Sequence, residues 1–206
     1  MKKRIVSLLL AAALLTGAAS AAGEEGAAEQ PDLDLSAASA VLMEKETGSL
    51  LYEKEAHQQL EPASVTKVMT LLLIMEELDS GRLSREDMVT VSAAAAGMGG
   101  SQVYLKEGEQ LSAGELIKCI AVVSGNDAAV AMAEHLAGSE TAFVERMNRR
   151  AQELGMEDTT FVNCTGLPAA GHRSSAYDIA LMSQELILHH PDIRAYTTIW
   201  MDSIRD

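Results

Sequence analysis

Pro62-Ala63-Ser64-Val65-Thr66-Lys67-Val68-Met69-Thr70 runs without a break into Leu71-Leu72-Leu73-Ile74-Met75. The apolar run is too continuous for a surface helix, and Pro62 stands where a helix begins, so the stretch reads as a buried central helix extending to about Leu78. Ser64 and Lys67 are three residues apart and share a face. A hydroxyl is a poor nucleophile until a base takes its proton, and a desolvated lysine can be that base. The unpaired N–H groups and positive dipole end of a helix N-terminus favour negative charge developing beside the serine. A lysine in the first turn of a buried helix opposes the dipole and is costly to desolvate, which argues for a use beyond packing. A Ser-x-x-Lys pair can also arise by chance, so its setting and its companions decide its meaning.

Working outward, the chain has 206 residues, is 48% hydrophobic, 22% charged and 3% aromatic, and carries a formal net charge of −14. That length supports a real core, and the scarcity of aromatics beside abundant Ala, Leu and Met points to helices. The acidic balance argues against nucleic acid or anionic lipid headgroups as partners. Met1-Lys2-Lys3-Arg4, the apolar run from Ile5 to Leu15 and Ala19-Ser20-Ala21 have the pattern of a secretory signal, expected to occupy residues 1–21. Residues 22–36, rich in Ala, Gly and Glu, read as a linker, and residues 37–206 as the folded part. An exported chain makes a Cys119–Cys164 disulfide chemically possible, but Cys119 falls in an apolar helix, and buried free thiols are the favoured reading.

Ala40–Met43 and Leu50–Tyr52 flank a turn-rich stretch and predict a β-hairpin. Ser84 with Asp87, Ser112 with Glu115 and Ser175 with Asp178 have capping-box spacing. Residues 93–101 read as a loosely held segment. Helices are expected from Ser112 to Val123, over 128–136, over 141–154 and from Ser175 to Leu188, with short strands at 159–162 and 197–201.

Ser124-Gly125-Asn126 falls in the tight turn between two of these helices. Such a turn can be a plain linker with Asn126 or Asp127 as N-cap, or it can supply a proton-relay hydroxyl and an amide for a substrate carbonyl. Ser-x-x-Lys followed about sixty residues later by Ser-x-Asn is the order used by penicillin-recognising serine enzymes. The segment from Glu61 to Thr70 resembles the nucleophile segment of the D-alanyl-D-alanine carboxypeptidases, the low-molecular-weight penicillin-binding proteins of serine peptidase family S11. Gly100-Ser101-Gln102-Val103-Tyr104-Leu105, Val123 to Ala128, Phe161 to Leu167 and Ser175 to Ala180 resemble further segments of that family, in order.

The resemblance implies an α+β, β-lactamase/D,D-peptidase-like fold, in which helices and a helical subdomain flank an antiparallel sheet. It implies an acyl transferase that removes the terminal D-alanine from the pentapeptide stems of peptidoglycan and is acylated by β-lactam antibiotics. By motif, Ser64 is the nucleophile, Lys67 the base, Ser124 a proton relay to the leaving group and Asn126 the residue that orients the acyl-side amide. The Ser64 N–H is one oxyanion donor. No cofactor is implied, and no metal is expected, because His172, His189 and His190 lack ligand spacing. The family's third motif, Lys-Thr-Gly on a sheet strand, does not occur in these residues. On that ground the sequence is expected to be the N-terminal part of such an enzyme, cut before that strand, with its activity as given in doubt. Export places it outside the cytoplasmic membrane, against the cell wall. Two other readings share features with this one: a class A β-lactamase, for which no matching glutamate motif is found, and a non-catalytic wall-binding protein.

Overall fold

The computed structural model describes residues 33–205. The expected signal segment and most of the linker lie outside the described residues.

The centre of the fold is helix α1 (Lys67–Asp79), entered through a 3-10 turn over Ala63–Thr66. Met69, Thr70, Leu71, Leu72, Leu73, Ile74 and Met75 are all buried, so α1 has no solvent face along most of its length. It packs against α3 (Ala113–Val123), α4 (Asn126–Ala137), α5 (Glu140–Glu153) and α6 (Ala176–His189). The apolar residues of α4, from Ala128 to Ala133, are equally enclosed. Small alanines there allow close approach of neighbouring helices, and Met132, Phe143, Met147 and Met182 fill the space between them. Both cysteines are buried free thiols.

The helix starts obey their caps. Ser112 accepts from the Glu115 N–H while the Glu115 carboxylate accepts from the Ser112 N–H, a complete capping box. Ser139 and Ser175 cap α5 and α6 through the N–H groups of Ala142 and Asp178. Glu77 is buried near the end of α1, where Arg82 and Arg146 both bond its carboxylate. Those guanidiniums hold its pKa below the usual carboxylate range against the opposing effect of burial.

The hairpin is present: β1 (Ala40–Met43) pairs antiparallel with β2 (Leu50–Lys54), in the register Leu42 opposite Tyr52 and with an irregularity after Leu42. A second ribbon, β3 (Met88–Thr90) with β4 (Gln110–Ser112), was not expected from the sequence. Ser84-x-x-Asp87 does make its bond, with the Ser84 N–H donating to Asp87 Oδ2, but it closes a turn ahead of β3 rather than starting a helix. The segment read as loosely held contains helix α2 (Ala93–Ala96), capped by Ser92 and anchored by the fully buried Ala95. The strand expected at 159–162 reduces to a bridge between Thr160 and Arg173. Residues 194–197 form the short helix α7, and no strand occurs at 197–201.

Candidate active site

Ser64 lies exposed on the 3-10 turn. The Lys67 N–H donates back to the Ser64 carbonyl, so the two residues of the motif close one turn. Ala63, just before the serine, holds φ of 47°, in the left-handed region that costs an L-residue about 1–2 kcal/mol. Its neighbour explains how it is held there. Gly166 (φ +85°) crosses so closely that a Cβ on it would stand 1.7 Å from the Ala63 carbonyl oxygen and 3.0 Å from the Ser64 nitrogen. Only glycine fits that crossing.

The loop carrying Gly166 is built by Asn163. Its side-chain oxygen accepts from the Thr165 N–H, the Thr165 hydroxyl and the Gly166 N–H, and its amide donates to the Leu167 carbonyl. Two carbonyls of the loop are thereby aimed at α1. The Thr165 carbonyl accepts from Lys67 Nζ at 2.7 Å, and the Cys164 carbonyl accepts from the Thr70 hydroxyl at 2.7 Å. Lys67 is only 4% exposed, and burial pulls its amine from 10.5 down to about 8. A lysine so placed loses its proton readily near neutral pH, which a general base requires. Cys164 is the wrong kind of thiol for a nucleophile. Burial and the Glu140 carboxylate, which accepts from its Sγ at 3.3 Å, push its pKa well up.

Ser124 ends α3 at φ of 57°, with its N–H donating to the Ile120 carbonyl. Among the described residues, its Oγ is the buried side-chain oxygen left without a hydrogen-bond partner. Such an orphan costs about 1–3 kcal/mol and is a frequent mark of a group kept for a ligand or a proton. Asn126 begins α4, whose N-cap is Gly125 rather than Asn126 or Asp127. Its N–H donates to the Ser101 carbonyl, and one amide N–H donates to the Gly99 carbonyl at 2.7 Å. Asp127, wholly buried, accepts from the N–H groups of Val103 and Leu105 and so pins the loop that faces Asn126. A Cβ on Gly100 would meet Asn126 Nδ2 at 2.8 Å and Leu167 Cδ2 at 3.5 Å. Contacts therefore run from the Ser64–Lys67 turn, through the 163–167 loop, to Gly100 and Asn126.

Ser64, Lys67 and Asn126 thus lie along one run of contacts, and Ser124 stands two residues before Asn126 in the turn between α3 and α4. What sequence reasoning missed is the 163–167 loop as a working part. Gly166 acts through the space it leaves and Thr165 through its backbone carbonyl, and neither has a side-chain signature. Asn163-x-Thr165-Gly166 is the signal that could have found it.

Glu76, Glu185 and His190 place metal-capable atoms within 4.8 Å of one another. Arg150 already occupies that group, donating to Glu76 at 2.7 Å and to Glu185 at 2.5 Å. It lies about 14 Å along α1 from Lys67 at 1.5 Å per residue and is no part of the serine site.

Residues 24–205 match the D-alanyl-D-alanine carboxypeptidase family of S11 peptidases. The D-alanyl-D-alanine carboxypeptidase DacF of Bacillus subtilis is 48% identical over 206 residues, which is 100% of this chain and 53% of that protein. DacD of Escherichia coli is 41% identical over 165 residues, 77% of this chain and 42% of its own length. Among solved structures, the D-alanyl-D-alanine carboxypeptidase DacD from Francisella tularensis superposes with a TM-score of 0.79 at 36% identity, covering 82% of this chain and 41% of that one. Penicillin-binding protein D2 from Listeria monocytogenes, in its ampicillin-bound form, superposes with a TM-score of 0.72 at 32% identity, covering 81% of this chain and 68% of that one. The mixed helix-and-sheet architecture is thus the fold of penicillin-binding proteins, and this chain spans about half the length of the curated relatives it matches. The chain belongs to the D-alanyl-D-alanine carboxypeptidase family of S11 peptidases.

Proposed function

We propose that this chain carries the nucleophile, base and relay of a serine carboxypeptidase that trims the terminal D-alanine from peptidoglycan stem peptides. The observation that carries this reading is a buried amine lowered to about 8, one 3-10 turn after an exposed serine. Neutral Lys67 takes the Ser64 proton as Oγ attacks the carbonyl carbon of the penultimate D-alanine. The tetrahedral oxyanion is stabilised by the Ser64 N–H at the first turn. Collapse breaks the peptide C–N bond. The departing amine of D-alanine receives the proton from Lys67 through the Ser124 hydroxyl, the group left unpartnered in the structure. Asn126 orients the acyl-side amide, and water then hydrolyses the ester on Ser64 by the same base in reverse.

A β-lactam enters the same path. Ser64 opens the ring, but the leaving nitrogen stays tethered in the product and hinders the water step. Slow release of the bound drug would support the peptidase reading, whereas rapid turnover would favour a β-lactamase. The signal-like N-terminus supports export, with the protein working outside the cytoplasmic membrane. Among the described residues no helix is long and apolar enough to cross a membrane.

A peptide ending in D-Ala-D-Ala tests the activity directly. Wild type is expected to release free D-alanine and Ser64→Ala none. Equal release by both would overturn the proposal.

A further inference from the structure

The turn that presents Ser64 is fixed from both sides by one strand-like segment. Upstream, Leu60 and Ser174 exchange backbone hydrogen bonds at 2.8 and 3.0 Å. Downstream, His172 meets Thr66, the residue just before Lys67, with Nε2 and Oγ1 2.7 Å apart. His172 is 3% exposed and Thr66 wholly buried, so this contact is shielded from bulk solvent.

The ring's protonation follows from its other partner. The Val162 N–H donates to His172 Nδ1 at 3.0 Å, so Nδ1 holds a lone pair and Nε2 holds the proton given to Thr66. Burial lowers the pKa of the ring and so favours this neutral form, against the opposing charge of Glu61. Phe161 packs edge-on to the ring at a centroid distance of 5.9 Å and sets its plane. With one nitrogen accepting and the other donating, the imidazole has no free lone pair with which to take the serine proton. His172 is therefore not a base.

We propose that His172 is a positioning residue: through its Nε2–H bond to Thr66 it sets the rotation of the Ser64–Lys67 turn and so the placement of the Lys67 amine. The inference rests on the acyl-transfer reading of Ser64. Two conservative variants divide the ring's functions. An asparagine amide overlays Nδ1 and keeps the Val162 partner but cannot reach Thr66, whereas a glutamine amide reaches Thr66 with an N–H.

The test is the rate of acylation by a fluorescent penicillin across pH in the full-length protein, with drug binding and acylation separated by rapid mixing. His172→Asn and Thr66→Val are each expected to slow acylation about ten- to a hundredfold, the scale of a small misplacement, with drug binding before acylation changed by less than about threefold. His172→Gln is expected to stay within about threefold of wild type. The Thr66→Val/His172→Asn double variant is expected to be no slower than the worse single, because both remove one bond. The midpoint of the rising pH limb, near 8 in wild type, is expected to move in the Asn and Val variants and stay in the Gln variant. Acylation at wild-type rate in His172→Asn, or equal losses in the Asn and Gln variants, would overturn the proposal. If wild type itself fails to acylate, the acyl-transfer reading fails instead. The Lys67 titration, followed by carbon-labelled lysine NMR in wild type and His172→Asn, then still decides whether His172 places the amine: a shifted midpoint supports it and an unmoved one refutes it.

Discussion

Replacing Lys67 by methionine is expected to strengthen the fold while removing the chemistry, and the size of the gain should depend on pH. The lysine amine falls from 10.5 to about 8 on folding, with burial as the main cause. In an unfolded chain the amine stays protonated up to 10.5, whereas the folded chain holds that proton more weakly. Below about 8 the protonated amine must be desolvated, and the fold is penalised by about 3 kcal/mol. As pH rises from about 8 towards 10.5, the unfolded chain also loses its proton and the penalty disappears. Methionine has a similar stem and no charge, so Lys67→Met escapes the penalty but forfeits the bond to the Thr165 carbonyl, worth about 1 kcal/mol. At pH about 7 the variant should be more stable by about 2 kcal/mol, and its advantage over wild type should shrink by about 2–3 kcal/mol by pH about 10. Urea unfolding of both proteins at matched pH values measures this, since other titrating groups cancel in the difference. A gap that stays constant with pH would show that Lys67 does not titrate low in the fold, and the assignment of the amine as a base would lose its physical ground.

Gly166→Ala would place a methyl 1.7 Å from the Ala63 carbonyl oxygen at a backbone φ of +85°. It is expected to destabilise the protein by about 3 kcal/mol or more and to abolish acylation, read by thermal unfolding and penicillin labelling; near-normal labelling would contradict the crossing. Ser124→Gly removes both the left-handed strain and the orphaned hydroxyl. It should raise stability by about 1 kcal/mol while release of D-alanine falls at least tenfold, and unchanged release would remove Ser124 from the relay. Asp127→Asn takes away an acceptor shared by Val103 and Leu105, so a loss of about 2 kcal/mol and faster hydrogen exchange at those two amides are expected.

The parts of the fold that were legible in the sequence are those written locally. The apolar run after Lys67, the short apolar runs on either side of the turn-rich 44–48 stretch and the Ser112–Glu115 and Ser175–Asp178 caps each state their structure within a few residues. The β3–β4 ribbon was not legible, because two three-residue strands separated by nineteen residues carry no alternation long enough to count. Helix α2 was misread because four alanines beside glycines suggest slack, whereas Ser92 and the buried Ala95 hold it. The candidate side chains of the site could be picked out from motif spacing and family resemblance. Its backbone did not: that a carbonyl at Thr165 would hold Lys67, 98 positions earlier, depends on the whole fold. His172 invited dismissal for the same reason, since its partner Thr66 is 106 positions away.

The central claim is that Ser64 is the acylated nucleophile, activated by Lys67. Intact-mass analysis and peptide mapping after incubation of the full-length protein with a β-lactam test it most directly. One drug mass is expected on the peptide containing Ser64, absent in Ser64→Ala and retained in Cys164→Ala. A folded wild-type protein that gains no adduct, or gains it on any other residue, would contradict the claim.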